Sequence, residues 1–480
     1  MLRGRVIRLR RQVSSGSAGR CHCERVLRVA VVGSGPAGVY AAEALSGHGQ
    51  VSVDVLDRLP SPYGLVRYGV APDHLKIKSI INALRQVLEH PQVRFLGNVA
   101  FGTDLSLDDL HRHYDAVIFA AGAAVDRRIG VAGEDLPGNF SAREFVAWYS
   151  GHPDTALDSF ALTARSVAVV GVGNVAVDVA RVLAKTADEL RATDLPDHVL
   201  DVLAASRVED IHMLGRRGPA QAKFTTKELR ELGELANADV LVDAAELELD
   251  AASRAAMTAS AAVRRNVEVL QEWAARAPQG RARRLHLRFL LRPVEVLGPD
   301  VVSGIRLERS RLDGTGSTVP TGKQTTVEAQ LLLRSVGYRG VPVPGLPFDE
   351  NTGVVPNAGG RVLSDGVAVP GSYVAGWIKR GPTGVIGTNK ADARETVAAL
   401  LSDAASLRPA PVRDPDAVLH LLVERGVAVV AWEGWQAIDD AEVGLGSAQG
   451  RDRVKIADLA HLLRAAGARP DPAGPAAHLP

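Results

Sequence analysis

Short apolar runs alternate with stretches of helical period along most of the chain. Residues 28–32 form an apolar run, and the segment after it puts Val39, Ala42 and Leu45 on one helical face. Residues 51–57 then alternate as a strand does. Residues 114–122 read as a buried strand that ends in small residues, which let the chain pass close to a ligand. The pattern repeats from residue 166: a strand over 166–170, a helix with Val175, Val179, Val182 and Leu183, and a second strand over 208–214. Between these last two, residues 187–206 predict an inserted helix with a turn at Pro196. Residues 236–277 read as helix with Trp273 near the end, and Leu285, Leu287, Phe289 and Leu291 alternate as a half-buried strand. Further on come an apolar run over 331–336, a strand over 372–377 entering a glycine-rich turn at 380–387, and a helix over 390–402. A proline-containing linker at 408–415 leads into a final stretch read as α/β.

The two strand–helix–strand units carry glycines at their first turns. The first reads Gly33-Ser34-Gly35-Pro36-Ala37-Gly38, and Asp57 closes the following strand. The second reads Gly171-Val172-Gly173-Asn174-Val175-Ala176, and Arg216-Arg217 close its following strand. In such a unit one glycine makes the turn, the next admits a pyrophosphate, and the third lets helix and strand approach. The phosphates then face a helix N-terminus. A carboxylate at the end of the second strand accepts hydrogen bonds from ribose hydroxyls, whereas arginines there suit a 2′-phosphate. The pair therefore predicts two dinucleotides, FAD in the first unit and NADP(H) in the second. The plainer readings are a solvated strand end for Asp57 and a solvated basic turn for the arginines.

With 480 residues and 46% hydrophobic composition, the chain can fill two or three domain cores. Lys+Arg (56) and Asp+Glu (55) nearly cancel, so bulk charge gives no reason to expect a nucleic-acid partner. No apolar run reaches the ~18 residues of a transmembrane span. The only cysteines are Cys21 and Cys23, around His22. This leaves the body without a redox dithiol and without the four thiolates of an iron–sulfur cluster, and no metal site is expected. Residues 1–25 are rich in arginine and serine, with no acid before Glu24. A mitochondrial presequence has this composition, and so does a bacterial chain read from an upstream start. The expected location is a bacterial cytoplasm, with the mitochondrial matrix as alternative. Residues 1–25 and 471–480 are expected to be disordered.

The most distinctive run is Pro60-Ser61-Pro62-Tyr63-Gly64-Leu65-Val66-Arg67-Tyr68-Gly69-Val70-Ala71-Pro72-Asp73-His74. Together with Gly171–Arg181, with Gly215-Arg216-Arg217-Gly218-Pro219 and its following Lys227-Glu228-Leu229-Arg230-Glu231-Leu232, and with Ala375–Asn389, it resembles the adrenodoxin reductase family of NADPH–ferredoxin reductases. The resemblance spans residues 26–465, with Asp57 where the family often has Glu. It implies an α/β protein with two Rossmann-like dinucleotide-binding domains. The FAD domain would be discontinuous (26–124 and 350–470), with an NADP domain (125–349) inserted. It places Ala37, Leu65, Val99, Trp377, Gly384, Val385 and Ile386 against FAD. Gly173, Asn174, Val175, Arg216, Arg217, Glu228 and Gly384 fall against NADP, and His74 and Asp178 near the reacting rings. The implied reaction passes a hydride from NADPH to FAD and single electrons to a ferredoxin, an acidic iron–sulfur protein. Such a partner calls for a basic face, for which Arg264 and Arg265 are the first candidates and Arg283, Arg284 and Arg288 the next. The protein is expected to be a monomer. An NADPH-dependent diaphorase or quinone reductase is the alternative activity.

Overall fold

The structure, a computed structural model, describes residues 26–468. The Cys21-His22-Cys23 triplet and both expected disordered ends lie outside the described residues.

A seven-stranded sheet is assembled from both ends of the chain. Its order is Asn357–Ala358, Arg361–Ser364, Val367–Val374, Ala116–Phe119, Leu27–Val32, Val51–Leu56 and Val93–Leu96. The last five run parallel. Leu27–Val32 lies at the centre and is buried along its whole length, as a strand covered on both faces must be. The fingerprint helix Pro36–Ser46 packs beside it and against the long helix Thr388–Asp403.

A second sheet of six strands is parallel throughout. It runs Asn139–Ser141, Leu331–Arg334, Ser166–Val170, Asp210–Leu214, Arg283–Arg288 and Ala238–Val242. Ile211, Met213, Leu285 and Leu287 face a core shared with the helix Asn174–Ala184. A three-stranded antiparallel sheet, Leu291–Leu297, Gly304–Leu312 and Thr318–Glu328, covers part of the opposite face through Ile305 and Leu307. The chain is thus α/β with two Rossmann-like units, one interrupted by the other. It crosses between the sheets twice, and the crossings pair as the short strands Val125–Asp126 and Tyr338–Arg339.

Four sequence readings are revised. Residues 236–277 are not all helix: Ala238–Val242 is a strand registered on Arg283–Leu287, and the helices are Ala251–Ala259 and Ala261–Ala274. Alanine-rich composition favours helix locally, but pairing with a buried strand overrides it. The insert holds two short helices, Ala187–Leu190 and Asp197–Ala204, with Pro196 starting the second. The alternating run at 285–291 breaks at Leu290, whose φ of 58° redirects the chain into the three-stranded sheet. Finally, the segment after 415 is helical (Ala417–Glu424, Trp432–Ser447, Leu459–Ala465), and its β-type contact is a single bridge between Val430 and Gly97.

These C-terminal helices fasten the distinctive 60–74 run. Arg67 donates from both terminal nitrogens to Glu442, at 3.0 and 2.5 Å, and both side chains are buried. The Arg67 guanidinium also lies 5.0 Å from the Trp435 ring. Nearby, Lys78 and Lys455 both reach Asp194 of the insert, at 2.6 and 3.2 Å. Removing one partner of a buried pair leaves the other charge without compensation, at a cost of about 3–5 kcal/mol. Glu442→Ala is therefore expected to lower the thermal midpoint markedly, with Glu442→Gln in between; scanning calorimetry of the three proteins checks the order.

Candidate functional site

In the first unit Gly33 and Gly38 stand where a side chain cannot. Gly33 turns with φ 107°, and a Cβ there would lie 2.6 Å from the Ala120 carbonyl oxygen. A Cβ on Gly38 would lie 1.8 Å from the Gly33 carbonyl oxygen, so helix and strand touch through backbone. Gly35 caps the fingerprint helix without a side-chain bond, and Gly64 (φ 49°) packs against its Cα. Gly376 (φ 78°) approaches Ala37 so closely that a Cβ would fall 2.6 Å from that methyl. The first fingerprint, the 60–74 run and the 375–389 turn therefore meet at the N-terminus of one helix.

Asp57 stands one residue beyond its strand. Its Oδ2 accepts from the Ser34 amide at 2.8 Å and hydroxyl at 2.5 Å, and its Oδ1 from the Leu59 amide at 3.0 Å. The carboxylate is thus oriented toward the fingerprint turn. Val99 is buried, and its amide donates to the Asp57 carbonyl. Leu65 and Val385 are 44% and 64% exposed, unusual for aliphatic side chains beside a glycine-rich turn. Ile386 is half-buried, and Gly384 (φ 84°) packs on Thr388. Trp377 stacks on Tyr338, with ring centroids 5.6 Å apart.

In the second unit Gly171 (φ 142°) passes against Ser335, and the space at Gly173 is open. The side chain of Asn174 accepts from the Thr225 amide at 2.8 Å, which ties the second fingerprint to the helix Thr226–Gly233. Val175 is half-buried beside it. Arg216 is exposed and Arg217 half-buried, and among the described residues neither guanidinium has a hydrogen-bond or ion-pair partner. Glu228 is buried with Oε2 unpartnered, an acceptor left for a donor that the chain does not supply.

Between the units, His74 and Asp178 are brought into contact. His74 is buried, and its Nε2 lies 2.8 Å from Asp178 Oδ1. The same nitrogen is 2.9 Å from Nη2 of Arg181, and Nδ1 is 3.8 Å from Glu231 Oε2. Arg181, only 1% exposed, is gripped by Asp73 through Nε and Nη2, both at 2.8 Å, and its Nη1 faces Asp178 (2.9 Å) and Glu231 (3.2 Å). Lys185 adds a bond to Asp73 at 2.7 Å. Burial would raise the Asp73 carboxyl, but the hydrogen bonds and charge of Arg181, helped by Lys185, hold it well below the usual range. Burial would likewise lower the Arg181 guanidinium, and Asp73, Asp178 and Glu231 keep it raised and charged. Asp73, Arg181, Lys185 and Glu231 were given no role from the sequence. Their signal is helical spacing: Asp178, Arg181 and Lys185 recur at three and four residues on one face.

Of the five candidate docking arginines, three are engaged inside the protein. Arg283 is buried and donates to the carbonyls of Leu183 and Lys185; Arg284 pairs with Asp210, and Arg288 with Glu246. Arg264 and Arg265 are exposed on the helix Ala261–Ala274, with Glu268 3.9 Å from Arg264. No helix among the described residues is long and apolar enough to cross a membrane.

Residues 27–214 match the family described as pyridine nucleotide-disulphide oxidoreductase. The chain is 44% identical over 452 residues to the NADPH-ferredoxin reductase FprA of Mycobacterium tuberculosis, covering 91% of this chain and 98% of that protein. It is 41% identical over 462 residues to the mitochondrial NADPH:adrenodoxin oxidoreductase of Arabidopsis thaliana, covering 92% and 96%. The solved structure of M. tuberculosis FprA in complex with NADPH superposes with a TM-score of 0.87 at 44% identity, over 92% of this chain and all of that one. With two glycine turns, a charged junction between them and relatives matched nearly end to end, the chain belongs to the adrenodoxin reductase family of NADPH–ferredoxin reductases.

Proposed function

We propose that this protein is an NADPH:ferredoxin oxidoreductase that holds FAD in the first unit (residues 26–124 and 350–470) and NADP(H) in the second (125–349). The observation that carries the reading is the contrast between the two strand ends: a buttressed carboxylate, Asp57, at one, and two unpartnered arginines at the other. The bare backbone at Gly33, Gly35 and Gly64 fits a pyrophosphate laid on the helix N-terminus, and the exposed aliphatics Leu65 and Val385 fit the faces of a flat ring system. Arg216 and Arg217 fit a 2′-phosphate, and the unpartnered Glu228 oxygen fits a hydroxyl or amide donor of the nicotinamide nucleotide. When bound, FAD supplies the means to take a hydride from NADPH and pass electrons singly to an iron–sulfur partner. The body itself has no cysteine for a relay.

The chain's own contribution lies at the junction. Asp178 is hydrogen-bonded to Nε2 of the His74 ring and Glu231 flanks its other nitrogen at 3.8 Å, while Arg181 pairs with both acids. His74 thus offers a buried, oriented imidazole where the two units meet. Arg264 and Arg265 serve the acidic ferredoxin, since Arg283, Arg284 and Arg288 are engaged by Leu183, Asp210 and Glu246. A protein drawing on NADPH works where that nucleotide is kept, and we place this one in the cytoplasm as a monomer. The diaphorase activity needs no basic face and differs on that point.

Replacing Arg216 and Arg217 together with Ala is expected to raise KM for NADPH at least tenfold, the scale of ~1.4 kcal/mol, while leaving KM for NADH nearly unchanged. Loss of yellow colour instead would show that the two units are assigned the wrong way round. Arg264→Glu with Arg265→Glu should depress ferredoxin reduction and its salt dependence yet spare ferricyanide reduction; equal loss with both acceptors would favour a structural role. The Asp73 carboxyl is depressed in the folded state. Its stabilisation is therefore complete above its unfolded value near ~4 and is lost as pH falls below it. Wild type should lose stability relative to Asp73→Asn between about pH 5 and pH 3, measured by urea unfolding across that window.

A further inference from the structure

The second sheet carries a cluster that the nucleotide chemistry does not use. On the strand Asp210–Leu214, Asp210 and His212 point away from the helix-covered core that receives Ile211 and Met213. On the neighbouring strand Arg283–Arg288, Arg284 and His286 do the same, between Leu285 and Leu287. The register places Arg284 beside Asp210 and His286 beside His212. Because side chains alternate along a strand, the four make a two-by-two grid on one face.

Within the grid the imidazoles of His212 and His286 stack with centroids 4.4 Å apart and planes at 16°. His286 Nε2 lies 2.8 Å from Asp210 Oδ1. One donor atom from each of Asp210, His212 and His286 lies within 4.8 Å of the other two. Nδ1 of His212 is buried and has no hydrogen-bond partner among the described residues. An orphaned, buried ring nitrogen on a histidine stacked against a second imidazole is unusual, because buried polar atoms are nearly always satisfied. A cleft of about 420 Å³, walled by Trp273, Asp243 and Arg288, opens at His286 and gives solvent a way in.

We infer that Asp210, His212 and His286 form a binding site for a late first-row divalent cation, with Zn²⁺ as the best match. Two imidazoles and a carboxylate are a recurring donor set for that ion, and a water completes four-coordination. The ring nitrogens converge on the ion once the stacked rings splay apart. Arg284 keeps its two bonds to Asp210, at 2.7 and 2.5 Å, and orients the carboxylate from outside, as outer-shell donors do. Its positive charge opposes the ion, so Arg284 limits the affinity. A bound ion would clamp two adjacent strands of the second sheet, upstream of the turn that carries Arg216 and Arg217.

The test is a calorimetric titration of Zn²⁺ into the full chain with its flavin bound. Wild type is expected to take up one ion per chain. His212→Asn and His286→Gln should each weaken binding by about tenfold or more. Flavin absorbance and circular dichroism check that each variant is folded. A measurement on the unaltered protein keeps the idea testable if a variant fails to fold. One equivalent of Cu²⁺ should give an electron paramagnetic resonance spectrum split by two imidazole nitrogens. No uptake by wild type, equal affinity in the His212→Asn/His286→Gln double variant, or a Cu²⁺ spectrum without nitrogen splitting would overturn the assignment.

Discussion

A guanidinium with almost no solvent contact governs how the two units meet. Arg181 rises from the helix behind the second glycine turn, yet its firmest partner, Asp73, belongs to the segment that follows the first unit's second strand. A charge so deeply buried is costly unless every side of it is answered. Asp73, Asp178 and Glu231 answer it from three separate segments, and His74 fills the remaining direction. Displacing any one of these segments would leave the charge exposed to apolar surroundings. The orientation of the histidine at the junction is therefore a by-product of solvating an arginine without water.

Much of the architecture could be read from the chain because its signals are local. The glycines at 33, 38 and 171 are demanded by turn geometry and backbone contact, and periodicity located the strands and helices beside them. The candidate site residues on those turns, from Asp57 to Arg217, stand out for the same reason. What escaped depended on distant pairing. The strand Ala238–Val242 lies in an alanine-rich stretch that reads as helix, and it is registered on its neighbour, Arg283–Arg288. The C-terminal segment contains valines that suggest strands, yet it docks as helices because its apolar faces meet Tyr63 and Phe95. Two of the partners of Arg181, Asp73 and Glu231, lie about a hundred residues away on one side and fifty on the other, a separation that no periodic pattern encodes.

Charge placement shows the same division. Five arginines were candidates for a docking face, with Arg264 and Arg265 first, and their partners distinguish them. Arg283 caps carbonyls at the end of a helix and Arg288 shares Glu246 with Arg309, so both stabilise the sheet from within. Only a three-dimensional neighbourhood distinguishes an arginine that offers its charge outward from one that spends it on the interior.

The short ladder formed by Val125–Asp126 and Tyr338–Arg339 carries a consequence for how such a chain could arise. Paired strands lie only ~5 Å apart. The second unit therefore enters and leaves through a single doorway, and its removal would leave two loose ends near enough to be rejoined by a short loop. An intact flavin-type half with a continuous chain is geometrically available by excision, and the reverse event, insertion of one nucleotide-binding unit into a loop of an older one, needs no rearrangement of either sheet.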